Sequence, residues 1–387
     1  MSLIPYARQH ITEEDIAAVV NVLKSDWLTQ GPVIEQFEKE VAAYCGAKYA
    51  VAVSNATAAL HIACLAAGLG KGDTLWTSPN TFVASANCGL YCQAKVDFVD
   101  IDRQTYNLSP AAFQAKMAEA VKKNKVPKVL IPVHFSGQSC DMKPLWEEAK
   151  KHDLTIIEDA SHAIGGSYRQ HKVGSCRYSD MTVFSFHPVK IITSGEGGMV
   201  TTNREDLYKK LLLLRSHGIT RAPEVMTQEP DGPWYYEQLI LGWNYRMTEL
   251  QAALGLSQLA KIDSFIERRR YLVKRYETLL KDVPVMLPFQ NPEAASAHHL
   301  YVIRLDRTKI TKSKAAIFEE LKKRGVAANL HYIPVHTQPY YRRLGFDWGD
   351  FPEAEEYYLE AVSLPMYYGL TDQEQEYVAN VMKEVVR

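Results

Sequence analysis

The sequence has no surplus of basic charge: 44 Lys and Arg stand against 45 Asp and Glu, a formal net charge of −1. That balance excludes a standing positive field for nucleic acid or an anionic membrane, so any phosphate this chain binds must be gripped locally. Cysteine is scarce, with six in 387 residues and no C-x-x-C pair. This excludes a zinc ribbon and a disulfide framework, and reduced thiols in the core are expected instead. The opening residues, Met1-Ser2-Leu3-Ile4-Pro5-Tyr6, lack the apolar stretch and cleavage site of a signal peptide, which makes the cytoplasm the expected compartment. Long hydrophobic runs are missing too. The least charged stretch, 49–70, is broken by Ser54, Asn55, Thr57, His61 and Gly68 and reads as a buried strand and helix, not a membrane span. No repeats or low-complexity tracts occur.

What is present is the composition of a folding chain, 47% hydrophobic and 23% charged. Its length exceeds the roughly 250–300 residues at which single cores stop growing, which predicts two domains. Ile34, Phe37, Val41 and Tyr44 fall on one face of a helix that Gly46 ends. Apolar, β-branched runs then alternate with helical patterns: Tyr49–Val53, Thr74–Thr77, Lys95–Val99, Lys128–Val133, Leu154–Glu158, Met181–Ser185 and Met199–Thr202. The alternation predicts an α/β fold with a mostly parallel sheet and helices on both faces. From Arg246 the apolar spacing predicts one sustained bridging helix through Arg269 and beyond. A small α+β region follows, with a strand over His299–Leu305, a helix over Ser313–Arg324, a segment Val326–Ile333 and a last helix from Thr371. Thr220–Trp234, with three prolines, reads as a flap that moves or meets a partner.

Several motifs fall short of a function. Gly68-Leu69-Gly70-Lys71-Gly72 lacks dinucleotide spacing and follows a helix instead of a strand. Gly195-Glu196-Gly197-Gly198 lacks the Lys-Ser/Thr of a P-loop, and His331 and His336 miss the helical spacing of a zinc pair, so no metal is expected.

Three other segments carry chemistry together. Leu154–Asp159 is an apolar strand ending in an acid pair, placed where open α/β sheets bind ligands. Taken alone, Asp159 is equally well explained as a helix cap. Lys190, within Phe184-Ser185-Phe186-His187-Pro188-Val189-Lys190-Ile191-Ile192, is surrounded by apolar residues that favour its neutral, nucleophilic amine; taken alone, it is a surface lysine on an apolar loop. Val53-Ser54-Asn55-Ala56-Thr57 turns from strand into helix and offers free N–H groups to a phosphate, or simply a cap. Phe82 is a stacking platform or a core aromatic. One cofactor requires all of these parts at once: pyridoxal 5′-phosphate (PLP) needs an amine for its aldehyde, a carboxylate for its pyridine nitrogen and a cup for its phosphate.

With those segments in this order, the chain resembles the DegT/DnrJ/EryC1/StrS sugar aminotransferases of PLP fold type I. The resemblance runs from Ile4-Pro5 through Trp27-Leu28-Thr29-Gln30-Gly31-Pro32 and Gly242-Trp243-Asn244-Tyr245-Arg246-Met247 to Leu330-His331-Tyr332-Ile333-Pro334. It implies that Lys190 and Asp159 are catalytic, with PLP (and its amino form, PMP) held by Ala56, Thr57, Phe82, Asp159, His162, Ser185, Lys190 and, from a neighbouring subunit, Asn244. His162 stands where many members carry glutamine, which leaves its contact to the PLP 3′-oxygen open. Tyr6, Trp27, His331 and Tyr332 fall in segments that line the family's substrate cleft, and Arg246 is placed to meet a phosphate or carboxylate across a homodimer. The implied division is a PLP-binding domain over 1–245 and a bridging helix with a small domain over 246–387. Within the family, the Ser-Asn-Ala-Thr, Pro-Asn-Thr-Phe and Ser-Phe-His-Pro-Val-Lys motifs resemble most the C4 aminotransferases of pseudaminic acid biosynthesis. That implies L-glutamate and a UDP-linked ketosugar as partners. Lysine at 190 separates this reading from the family's PMP-dependent dehydratases, which have histidine there.

Overall fold

The computed structural model describes residues 3–386. Seven strands form the main sheet: β1 (Tyr49–Val53), β2 (Thr74–Thr77), β3 (Lys95–Phe98), β4 (Val129–Ile131), β5 (Thr155–Asp159), β6 (Met181–Ser185) and β7 (Gly198–Thr202), in the spatial order β1-β7-β6-β5-β4-β2-β3. From β6 to β3 every pairing is parallel, while β7 runs antiparallel to both β1 and β6. The expected mostly parallel sheet is present, with one reversed strand inserted near its edge.

Alternation along each strand explains the layering. Val51, Val53, Leu75, Val129, Ile131, Ile157, Met181 and Val183 face one side, where the helix Ala56–Ala66, the helix Ala84–Tyr91 and the helix Glu205–Arg215 close the core. Ala50, Ala52 and Phe184 face the other side beneath the helix Pro32–Cys45, while Trp76, Leu130 and Ile156 on that side meet the helices Pro110–Lys122 and Met142–Lys150. All six cysteines are free and buried. Burial on both faces is why these strands read as continuous apolar runs.

A second core gathers Leu272, Tyr276, Tyr301, Ile303, Ile317, Leu321, Val362, Val378 and Met382 around a three-stranded antiparallel sheet of Val285–Met286, Tyr301–Leu305 and Ala361–Leu364. Ile4 joins this core, held by backbone bonds to Gly325 and Ala327. The expected single bridging helix is two, Glu249–Leu259 and Ile262–Leu279. Between them Lys261 turns to bond the buried Asp15 at 2.6 Å and Thr12 at 2.8 Å, an anchor that apolar periodicity does not register. Val326–Ile333 is irregular, tied by isolated bridges to Ile4 and Ser363. The proline-bearing flap is a hairpin loop in which Glu237 accepts from the N–H groups of Thr227 and Gln228 at 2.8 Å. Among the described residues, no helix is long and apolar enough to cross a membrane.

Candidate active site

A cavity of about 840 Å³ opens at the carboxyl ends of β1, β5 and β6, where the sheet meets the small C-terminal core. Three elements deliver its chemistry. The first is the helix Ala56–Ala66, whose cap Asn55 accepts from the Ala58 N–H at 2.9 Å. That leaves the N–H groups of Ala56 and Thr57 without acceptors among the described residues, and both residues line the cavity. Gly198, paired to Val53 across the strands, lets the backbone close tightly on this turn: a Cβ there would lie 2.6 Å from the Asn55 carbonyl.

The second element is the end of β5. Asp159 is buried and its carboxylate is fixed on both oxygens, Oδ2 accepting from Ser85 Oγ at 2.6 Å and Oδ1 from Ser161 Oγ at 2.6 Å and Ser161 N–H at 3.1 Å. Its neighbour Glu158 points to the opposite face and binds His134 at 2.6 Å.

The third element is the loop between β6 and β7, which carries Lys190. Burial among apolar neighbours pushes its ammonium pKa down to about 8, a shift that Asp159 partly opposes. Its amine makes no hydrogen bond or ion pair among the described residues.

Tyr6, Phe82, His162, Ser185, His331 and Tyr332 line the same cavity. Tyr6 reaches it because the N-terminal segment lies beside residues 325–327, and its ring sits 5.5 Å from that of His331. His331 donates or accepts at Ser363 Oγ, 2.8 Å away, and burial with nearby Lys190 pushes its pKa down to about 3. His336 instead bonds Glu355 at 2.9 Å, so the two histidines form no pair, and no metal-ligating cluster occurs among the described residues.

Trp27, Asn244 and Arg246 do not line this cavity. Trp27 lies in a separate groove of about 790 Å³ between the helices Glu13–Leu23, Pro32–Cys45 and Glu249–Leu259. Asn244 is exposed and bridges to Ser216. Arg246 is half-buried, and its Nε has no partner among the described residues. Sequence reasoning missed His299, Asn329, Tyr91, Tyr245, Ser161 and Glu196 as lining residues, and Ser85 as the holder of Asp159. Tyr245 and Glu196 sit within motifs already singled out and Ser161 follows Asp159 by two residues, whereas nothing local marks His299 or Asn329.

These groups fit PLP: free N–H groups at a helix start for its phosphate, a fixed buried carboxylate for its pyridine nitrogen, and a desolvated amine for its aldehyde. The fold and the site together define a PLP-dependent sugar aminotransferase, as the comparisons with known proteins show.

A model of the DegT/DnrJ/EryC1/StrS aminotransferase family matches residues 9–383, and the chain belongs to that family. It is 39% identical to the spore coat polysaccharide biosynthesis protein SpsC of Bacillus subtilis, over 99% of this chain and 97% of that protein. It is 36% identical to GDP-perosamine synthase of Caulobacter vibrioides, over 95% and 94%. Among solved structures, the PMP-form of Spr1654 from Streptococcus pneumoniae superposes with a TM-score of 0.91 at 30% identity, covering 99% of each chain. Helicobacter pylori PseC, an aminotransferase involved in pseudaminic acid biosynthesis, superposes with a TM-score of 0.90 at 31% identity, covering 100% of this chain and 99% of that one.

Proposed function

We propose that this aminotransferase moves the amino group of L-glutamate to C4 of UDP-2-acetamido-2,6-dideoxy-β-L-arabino-hexos-4-ulose. The products are UDP-4-amino-4,6-dideoxy-N-acetyl-β-L-altrosamine and 2-oxoglutarate. The observation that carries the reaction class is one cavity joining the unpaired amine of Lys190, the fixed carboxylate of Asp159 and the open start of the helix Ala56–Ala66. The motif resemblance and the likeness to PseC support the sugar.

When bound, PLP supplies an aldehyde that captures amines and a ring that accepts an electron pair. Lys190, with its lowered pKa, would offer a neutral amine near pH 8 to the cofactor aldehyde, and its Nζ would be placed to hold or move a proton at the substrate carbon. Asp159 keeps a proton on the pyridine nitrogen, with Ser85 and Ser161 holding its oxygens in place. Ala56, Thr57 and Ser185 grip the phosphate, and Phe82 supplies the ring face. In this reading Asn244 of a second copy completes the phosphate cup, which makes the working unit a homodimer, and Arg246 serves the neighbouring site. Tyr6, His331 and Tyr332 border the space left for the sugar, with Trp27 contributing only where two copies meet.

A second reading, a GDP- or dTDP-linked ketosugar as acceptor, draws on the identity to GDP-perosamine synthase. Incubation with glutamate and a panel of UDP-, GDP- and dTDP-linked 3- and 4-ketosugars, with product analysis, separates the two. Amination of the UDP-linked 4-ketosugar alone is expected; turnover confined to a GDP-linked, dTDP-linked or 3-keto acceptor overturns the pseudaminic assignment.

A further inference from the structure

His162 lines the cavity, yet both of its ring nitrogens are engaged within the chain. The backbone N–H of Ser136 donates to Nδ1 at 3.3 Å, and Nε2 lies 3.1 Å from the Tyr332 hydroxyl. A neutral imidazole carries one proton, and an atom that accepts a hydrogen bond does not carry it. Nδ1 is the acceptor, so the proton sits on Nε2. A second proton is opposed by burial and by the nearby Lys190 and His331, which hold the His162 pKa well below its ordinary value. The ring of His299, 4.4 Å away, is likewise buried and held neutral. His162 therefore donates to Tyr332. The phenol oxygen, accepting there, must aim its own proton elsewhere, and the open direction is the cavity that Tyr332 lines.

We infer that His162 is a positioning residue that fixes Tyr332 as a one-way hydrogen-bond donor to an oxygen at the reacting end of the cavity. That oxygen is either the phenolic oxygen of the cofactor or the carbonyl of the ketosugar, both acceptors of the same kind. The inference rests on the PLP-site reading above and changes the role expected for His162, which acts through Tyr332 and not by direct contact. The same logic accounts for glutamine as an equivalent residue: its carbonyl accepts from the Ser136 N–H while its amide donates to Tyr332. An ionised glutamate only accepts, and it would turn the Tyr332 proton away from the cavity.

Four variants test this: His162→Gln, His162→Glu, His162→Leu and Tyr332→Phe, each with and without PLP. Nitrogen NMR of the cofactor-free protein is expected to show His162 protonated at Nε2 and bare at Nδ1. The reverse tautomer overturns the inference whatever the cofactor does. In the PLP-loaded protein, His162→Gln is expected to recover most of the kcat, the visible absorption band and the pH midpoint that His162→Leu loses. His162→Glu, His162→Leu and Tyr332→Phe should each lose about tenfold in kcat, the equivalent of one hydrogen bond, and the double variant Tyr332→Phe with His162→Leu should lose no more. A shifted band in the resting Tyr332→Phe enzyme identifies the cofactor oxygen as acceptor; an unchanged band with slowing confined to the ketosugar half-reaction identifies the sugar carbonyl. Normal behaviour of Tyr332→Phe, or His162→Gln as impaired as His162→Leu, overturns the inference. A wild-type protein that takes up no PLP counts against the cofactor site instead, and leaves the tautomer measurement standing.

Discussion

Ser85 Oγ donates a 2.6 Å hydrogen bond to Asp159 Oδ2, reaching from the start of the helix Ala84–Tyr91 to the end of β5. The bond joins the segment that carries Phe82 to the carboxylate beneath the cavity, so one serine aligns two of the groups expected around the cofactor ring. Replacing it by alanine removes a bond to a charged acceptor, worth about 1.5–3 kcal/mol. Ser85→Ala is expected to lower kcat about tenfold or more with little change in KM for glutamate, as steady-state kinetics will show, because Asp159 is loosened while the sugar-facing residues stay in place.

The lowered pKa of Lys190 makes two pH predictions. Capture of PLP by the cofactor-free protein should accelerate as pH rises through about 8, where the amine loses its proton. Stability of that same form should also rise between about 8 and the ordinary lysine value of 10.5, because over that window the unfolded chain binds the proton and the folded chain does not. Melting temperatures of Lys190→Met across this range are expected to lack that contribution. Lys190→Ala should abolish turnover and borohydride fixation of PLP while still binding PMP.

Gly198 brings the reversed strand tightly against the turn that opens the helix Ala56–Ala66. A methyl group there would meet the carbonyl of Asn55 at 2.6 Å and the nitrogen of Ala56 at 2.8 Å, both backbone atoms with little room to yield. Gly198→Ala is expected to destabilise the fold by about 1–3 kcal/mol and to weaken PLP binding by spreading the turn, which thermal unfolding and spectrophotometric titration can follow separately.

On the far face of β5, Glu158 is buried with His134 at 2.6 Å and the Thr182 hydroxyl at 2.9 Å, while Cys140 donates its N–H to the other nitrogen of His134 at 3.1 Å. His134→Leu strips the carboxylate of its strongest partner. A loss of about 3–5 kcal/mol is expected in urea unfolding, with near-normal kcat in the molecules that stay folded, since the network faces away from the cavity.

Much of this arrangement is legible in the sequence because its causes are local. β1, β2 and β6 have the bounds expected from their apolar runs, and Thr371 and Ser313 precede helices that they cap. Asp159 and Lys190 are visible through what surrounds them, an apolar strand end and an apolar loop. The break after Leu259 is hidden because apolar spacing continues across it, while its cause, Asp15 bonding Lys261, lies almost the whole large sheet away in sequence. His299 and Asn329 enter the cavity from segments with no motif of their own, brought there by the docking of the C-terminal core. Trp27 lies outside the cavity of its own chain for the same reason: its neighbours in sequence say nothing about which side of the helix Glu249–Leu259 it will face.

The reversed course of β7 has one further consequence. Ser185 and Gly198 are paired directly across the two strands, so the loop that bears Lys190 leaves and re-enters the sheet at adjacent points. No crossover helix carries the lysine. The loop has clamped ends, yet Phe186, Ile191 and Ile192 seat it in the core with Phe37 and Met247, so a loop exchanged between relatives to transplant Lys190 and its surroundings has to bring matching apolar contacts with it.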